Sequence, residues 1–410
     1  GGRAFLQKGP SPLPQYSFHA TPTSAPEFPM ILLDRPYVSR HFLAYLEHSR
    51  QPVLETPFTV ELARDYALNL VNDAEAERRC RAGERLYTSS ENALEWIHAH
   101  LGDRPVVRHI DAMKDKAALR RLLAEVYPDF FFREIPARAL RGTDVSGWKK
   151  PFILKPSVGF FSLGVYTIAS DADWSAAVEA IEGNLRAGGE GFPASVVDQS
   201  MFLAEEYISG DEFAVDVYFD GEGEPVILNI FAHRFASPED VSDRLYVTGK
   251  EVIEANKSRF EAFFRQVNAL MGVRDFPAHV ELRVDNGRIL PIEFNPMRFA
   301  GLCTTDLASF AFGINTVDCY LNDRKPDFDA LLQGKEGKTY AMVILNKAAP
   351  VPSSAFDYER LAGRFQKILE LRKVDMPELP AFGFVFTETD AAHMGELDTI
   401  LQSDLTEFLR

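Results

Sequence analysis

Cysteine is scarce: Cys80, Cys303 and Cys319 are the three in 410 residues. None stands in a CxxC spacing, so a zinc ribbon or disulfide framework is not expected, and reduced, buried thiols are the reading. No apolar run approaches the roughly 20 residues that span a bilayer. No signal-peptide pattern opens the sequence, and a cytoplasmic location is expected. Basic clusters are missing too. Lys plus Arg is 44 and Asp plus Glu is 60, a formal charge of −16. A surface this acidic repels nucleic acid and anionic membranes, which excludes both as expected partners. The few basic residues are left to line a pocket for a small anion.

What is present suits two or three compact units. The hydrophobic share is 46%, ordinary for a chain with a real core. Residues 1–29 are rich in Pro, Ser and Thr and read as an irregular arm. From Met30 the texture alternates between short apolar runs and helical stretches, which argues for a small parallel α/β domain over 30–110. Its strands are expected at Met30–Leu33, Pro52–Leu54, Arg85–Tyr87 and Pro105–Val107, with Ser39 capping one helix. Residues 111–150 read as a helix capped by Asp115 and then a linker. Beyond 151 strands and hairpins dominate. A capping box at Ser258 and Glu261 predicts a helix from there to Met271. The last segment, 336–410, predicts strands near Ala341 and Phe382 and helices near 357–370 and 395–409.

Three segments carry chemistry. Lys155-Pro156-Ser157-Val158-Gly159-Phe160-Phe161-Ser162-Leu163-Gly164 places a lysine at a strand end before a glycine-bearing loop. Successive N–H groups and hydroxyls in such a loop can cradle phosphates. A hairpin with an exposed lysine fits as well. Glu205-Glu206-Tyr207-Ile208 ends a strand and turns at Gly210 towards Glu212, where a carboxylate can hold two ribose hydroxyls; a solvated acidic turn is the plainer reading. In the third, His279, Glu281 and Arg283 alternate with apolar residues, and after Asp285-Asn286-Gly287 the chain returns with Pro291, Glu293 and Asn295. A three-residue loop with Gly287 as a bulge would set Glu281 opposite Pro291 and diagonal to Glu293. Pro291 also calls for a bulge or a sheet edge. Two carboxylates and an amide are hard ligands that suit Mg²⁺; a polar sheet face with Glu–Arg pairs is the plainer reading. Arg298, just beyond, can clamp a carboxylate or phosphate, and a surface ion pair fits as well.

Taken in order, these segments resemble the ATP-grasp superfamily, including its carboxylate–amine and D-alanine–D-alanine ligases. The resemblance implies an α/β (α+β) chain: an ATP-grasp fold behind a parallel α/β domain, two lobes clamping the nucleotide, and a small C-terminal module. The small lobe with its phosphate loop would be 151–212, the large lobe with the metal site 213–335, and the C-terminal α+β module 336–410. The same resemblance implies nucleotide contacts at Lys116, Lys155, Ser157, Ser162, Gly164, Glu205, Glu206, Ile208 and Glu212. It implies metal ligation by Glu281, Glu293 and Asn295, and catalytic roles for Arg298 and Arg283. Met297 ahead of the arginine departs from the family pattern, and Arg283 reads more simply as the partner of a glutamate. ATP and Mg²⁺, with Mn²⁺ able to replace it, are the implied cofactors. Small-molecule acid and amine substrates are the implied partners, and homodimers are common in the family. The implied activity is an ADP-forming C–N ligase working through an acyl phosphate, with the 157–163 loop excluding water. The alternatives are a grasp-type small-molecule kinase and a non-catalytic nucleotide-binding protein.

Overall fold

The structure is a computed structural model that describes residues 29–158, 164–186, 198–237, 240, 242–347, 351–374, 376 and 379–410. The expected N-terminal arm, up to residue 28, lies outside them. Among the described residues, no helix is long and apolar enough to cross a membrane.

The first sheet is parallel, made of β1 (Met30–Leu32), β2 (Pro52–Leu54), β3 (Asn69–Val71) and β4 (Leu86–Thr88) in the order β3-β2-β1-β4. The Ser39 hydroxyl accepts from the Phe42 N–H and so opens the helix Arg40–Ser49, as expected. Pro105–Val107 is a correction. It begins the helix Pro105–Lys114 rather than a strand. Proline is favoured in the first helical turn, where its missing N–H costs nothing. Val107, Ile110 and Met113 then bury one face at helical spacing. Asp115 ends that helix and caps the next, Lys116–Leu123, by accepting from the Ala117 and Ala118 N–H groups.

The second sheet is antiparallel and contains β5 (Phe132–Pro136), β6 (Phe152–Val158), β7 (Tyr166–Ile168) and β8 (Asp198–Glu206), ordered β5-β8-β6-β7. The expected linker therefore contributes strand β5. The helix Asp171–Arg186 covers this sheet, with Trp174, Val178 and Ile181 packed against Phe152, Leu154 and Phe202.

The third sheet has eight strands: β9 (Asp211–Phe219), β10 (Pro225–Arg234), β11 (Leu245–Gly249), β12 (Phe276–Asp285), β13 (Arg288–Pro296), β14 (Lys338–Asn346), β15 (Ile368–Lys373) and β16 (Ala381–Asp390). Their order is β13-β12-β9-β10-β11-β14-β16-β15, so the strands of the C-terminal segment are hydrogen-bonded into the same sheet. The helix behind it runs Lys250–Met271, starting eight residues before the expected capping box at Ser258. Burial of Ile253 against the sheet extends the helix past the local signal. The helix expected at 357–370 stops at Ala362, and the chain returns as β15, whose Leu371 pairs with Val385. The final helix is shorter than expected, Gly395–Gln402.

Gly210, between β8 and β9, shows how closely the two lobes are joined. Its φ is +100°, and a Cβ there would sit 2.1 Å from the Val284 carbonyl oxygen. Gly210→Ala is expected to lower stability by roughly 2–4 kcal/mol through strain plus backbone displacement. A guanidinium titration checks this; a midpoint equal to wild type would mean that the turn readily relaxes.

Candidate active site

The turn between β12 and β13 decides where the acidic residues face, and the structure corrects the expected register. Asp285 pairs directly with Arg288, leaving a two-residue turn of Asn286 and Gly287 with φ of 50° and 81°. Asn-Gly is well suited to a tight turn with both φ values positive. On its own, that turn would put the two glutamates on opposite faces. The strand recovers by a bulge: Pro291 lies opposite Leu282, Glu293 opposite Glu281, and Ile292 is the extra residue. Glu281 thus faces Glu293 rather than Pro291. Strand β13 is the sheet edge, where a proline without an N–H can be accommodated, as Pro291 led one to expect.

Pairing across β13, β12 and β9 builds a polar face in rows. Asn295 lies beside His279 and then Asp216; Glu293 beside Glu281 and then the small Ala214; Arg283 beside Glu212. The His279 ring is held to the Asp216 carboxylate at 2.8 Å. Glu281 keeps a third of its side chain open to solvent, yet protein fills the space around it. Burial, then the charges of Glu293, Glu212 and Asp243, push its carboxyl well above the ordinary value. Two facing carboxylates with an amide alongside are a donor set that calls for a cation, so these residues fit a magnesium ion. Among the described residues, no cluster of three or more His, Cys, Asp or Glu forms a metal site. The candidate set thus depends on the Asn295 oxygen.

Cations close around this pair. The Lys116 Nζ lies 2.9 Å from Glu293 Oε1. Burial works against its ammonium, but Glu293, with Glu91 and Glu281 beyond, holds its pKa above the ordinary value. Arg298 donates to Glu91 Oε1 at 2.6 Å, and Lys114 holds the other Glu91 oxygen. Burial opposes the Glu91 carboxylate, yet Arg298 and Lys114 lower it to about 2.

A second cluster lies on the small lobe. Lys155 sits 2.5 Å from Glu205 Oε1, and Arg120 donates to Glu205 Oε2 at 2.7 Å. Burial, reinforced by Arg120 and Lys116, lowers the Lys155 pKa against the pull of Glu205. Burial opposes the Glu205 carboxylate, yet Arg120 and Lys155 hold it at about 2. Arg120 also reaches the Pro291 carbonyl at 2.8 Å, which joins the lobes. Ser157 donates to Asp115, the cap of the Lys116 helix. Gly164 has φ +72° with Pro156 close by. Ser162, with residues 159–163, lies outside the described residues. Glu206 is half-buried and accepts weakly from the Phe131 N–H at 3.4 Å.

The third cluster joins Glu212, Arg283 and Ile208. Arg283 donates to Glu212 at 2.9 Å and to the Ile208 carbonyl at 2.6 Å. His233 holds the other Glu212 oxygen at 2.8 Å and stacks on Tyr246. Burial raises the Glu212 carboxyl, but His233 and Arg283 bring it below the ordinary value.

Sequence reasoning missed Glu91, Lys114, Arg120 and His233. Two of them carried a usable signal. Arg120 is four residues after Lys116 on one helix, hence on the same face. Glu91 follows the C-terminal end of a parallel strand, where ligands gather in open α/β sheets.

A pH effect follows from Glu281. Its folded pKa lies above its unfolded value, so its contribution to stability is full below about 4.5 and is lost as pH rises through the raised value. In chelator, wild-type Tm is expected to fall over that rise and Glu281→Gln to show a flatter profile. Parallel melting profiles would place no strained carboxylate there.

Comparison with known proteins bears on the fold. Residues 148–306 match a family model described as an ATP-grasp domain. An L-amino acid ligase from Bacillus licheniformis superposes with a TM-score of 0.65 at 16% identity, covering 93% of this chain and 97% of that one. An N5-carboxyaminoimidazole synthase from Aspergillus clavatus, in complex with ADP, gives 0.64 at 14% over 93% and 99%. A biotin carboxylase from Campylobacter jejuni gives 0.60 at 11% over 93% and 91%. At such identities the likeness is one of fold. No curated protein matches the sequence.

Proposed function

We propose that this chain, whose residues 148–306 match the model of an ATP-grasp domain, is an ADP-forming ligase joining a small carboxylic acid to an amine. The observation that carries the reading is the Glu281–Glu293 pair, facing across two strands with Lys116 on one side. A sheet face without a ligand gains nothing from opposed, half-buried carboxylates. Fold neighbours that include an amino acid ligase and an ADP-bound synthase support it.

Glu281, Glu293 and Asn295 would hold magnesium, which supplies positive charge beside phosphate oxygens. Lys116 and Lys155 offset negative charge on the nucleotide, and Glu212 receives the ribose hydroxyls once Arg283 and His233 have oriented it. Arg298, aimed by Glu91, holds the substrate carboxylate or the oxyanion of the tetrahedral intermediate. The carboxylate attacks the γ-phosphorus and ADP leaves. The amine nitrogen then attacks the acyl carbon, the C–O bond to phosphate breaks, and phosphate departs with the electron pair and the amine proton.

The test measures ADP and free phosphate released from Mg-ATP across acids and amines offered singly and in pairs. Equal ADP and phosphate, dependent on both an acid and an amine, is expected. ADP without phosphate would move the protein to the kinase reading. ATP binding without turnover would favour a nucleotide-binding role.

A further inference from the structure

His279 brings a spare nitrogen to the candidate metal site. The residue is 7% exposed, and Asp216 behind it is fully buried. Asp216 Oδ1 accepts from His279 Nδ1 and from the Ala300 N–H, each at 2.8 Å, and Oδ2 accepts from the Thr305 hydroxyl at 2.7 Å. A carboxylate held by three donors is fixed in place, and so is the ring attached to it. Phe231 packs against that ring at a steep angle, with centroids 6.4 Å apart. Two-residue spacing on β12 puts His279 and Glu281 on one face, and the register sets Asn295 directly across from His279. Nε2 lies 4.0 Å from Glu281 Oε1 and makes no hydrogen bond among the described residues. It nevertheless keeps accessible surface.

Asp216 sets the chemistry of that nitrogen. A carboxylate only accepts, so the ring proton sits on Nδ1 and Nε2 presents a lone pair. A lone pair beside a carboxylate calls for a donor between them. Four ångströms is too long for a hydrogen bond, and a gap of that size suits a bridging water. Direct ligation by the imidazole is not the arrangement here: among the described residues, no three His, Cys, Asp or Glu converge as metal ligands. Magnesium sheds water reluctantly and keeps several waters even when carboxylates bind it. Such a water donates hydrogen bonds, and Nε2 is an acceptor placed beside one of the proposed ligands.

We propose that His279 is a positioning residue of the magnesium site, accepting from a water on the ion and so strengthening its binding. The inference rests on the reading that Glu281, Glu293 and Asn295 hold magnesium. Asp216 aims the ring. The same carboxylate holds Ala300, two residues beyond Arg298, so one buried group fixes both this acceptor and the segment that bears the arginine.

The experiment is calorimetric titration of the whole chain with a non-hydrolysable ATP analogue at a series of Mg²⁺ concentrations. It reads the Mg²⁺ concentration that gives half of the metal-dependent gain in analogue affinity. His279→Asn keeps a donor for Asp216 where Nδ1 stands but has no atom at the Nε2 position. It should raise that concentration about tenfold, the scale of loss when a group behind the metal ligands is removed. His279→Gln reaches the Nε2 position with an amide oxygen and should recover part of the loss. Analogue affinity in chelator and the melting temperature should change little in either variant. In Glu293→Gln the metal-dependent gain should disappear. An unchanged Mg²⁺ requirement in His279→Asn beside a lost one in Glu293→Gln would overturn this inference and leave the metal reading standing. An unchanged requirement in both would overturn the two together. Equal losses in the Asn and Gln variants, with weaker analogue binding in chelator, would make His279 a packing residue.

Discussion

Glu293→Gln is expected to lower kcat about a thousandfold while leaving the protein folded, the scale seen when one preorganised electrostatic contact to a transition state is removed. Gln keeps the shape of the side chain but removes one charge from the donor set and from Lys116, which sits 2.9 Å away. Two functions fail together: the charge that would hold the metal, and the anchor that aims the lysine. The folded state should tolerate the change, because Glu281 then faces a neutral amide in place of a like charge. Coupled ADP release and a melting curve check both parts. Turnover within a few-fold of wild type would remove Glu293 from the reacting centre, and a collapsed melting temperature would make it a structural residue.

Arg120→Ala is expected to cost roughly 3 kcal/mol, because it strips the buried Glu205 Oε2 and the Pro291 carbonyl of their donor and leaves Lys155 alone on the carboxylate. Arg120 and Glu205 each expose only 3% of their side chains, so water cannot take over the lost contact. The guanidinium bridges Glu205 on β8 and the Pro291 carbonyl on β13, and it lies 4.5 Å from the Phe130 ring. Lys155 would then become the main partner of Glu205 and be drawn away from a phosphate, so ATP affinity should fall as well. Arg120→Lys keeps the charge but lacks the planar fork that reaches both acceptors, so it should recover only part of the loss. Denaturant midpoints and nucleotide titrations measure the two effects. A loss below about 1 kcal/mol would mean that the contact is no stronger than a surface pair.

The elements legible beforehand were those whose signals are local. Ser39 and Asp115 cap helices because a short side-chain oxygen reaches the free N–H groups of the first turn, whatever lies elsewhere. Pro105, read as part of a strand, carried a local signal for a first helical turn that the apolar run obscured. Ser258 shows the opposite limit: its capping box is present, yet burial of Ile253 on the sheet continues the helix upstream.

The sequence by itself determined the residue types of the candidate site and their order along the chain: Lys116, Lys155, Glu205, Glu212, Glu281, Glu293, Asn295 and Arg298. Strand alternation was enough to place Glu281 and Arg283 on one face, since that period is a property of the backbone. Only the tertiary structure decided which of them meet. The bulge at Ile292 turned Glu293 towards Glu281; Asn286-Gly287 and Pro291 carried local signals for a tight turn and a bulge, but the strand pairing decided the register. Glu91 reached Arg298 across 207 residues, and Arg372 came from the far end of the sheet to hold Asp306. Those partners belong to separate elements, and their pairing depends on how the elements pack, which one-dimensional spacing does not encode.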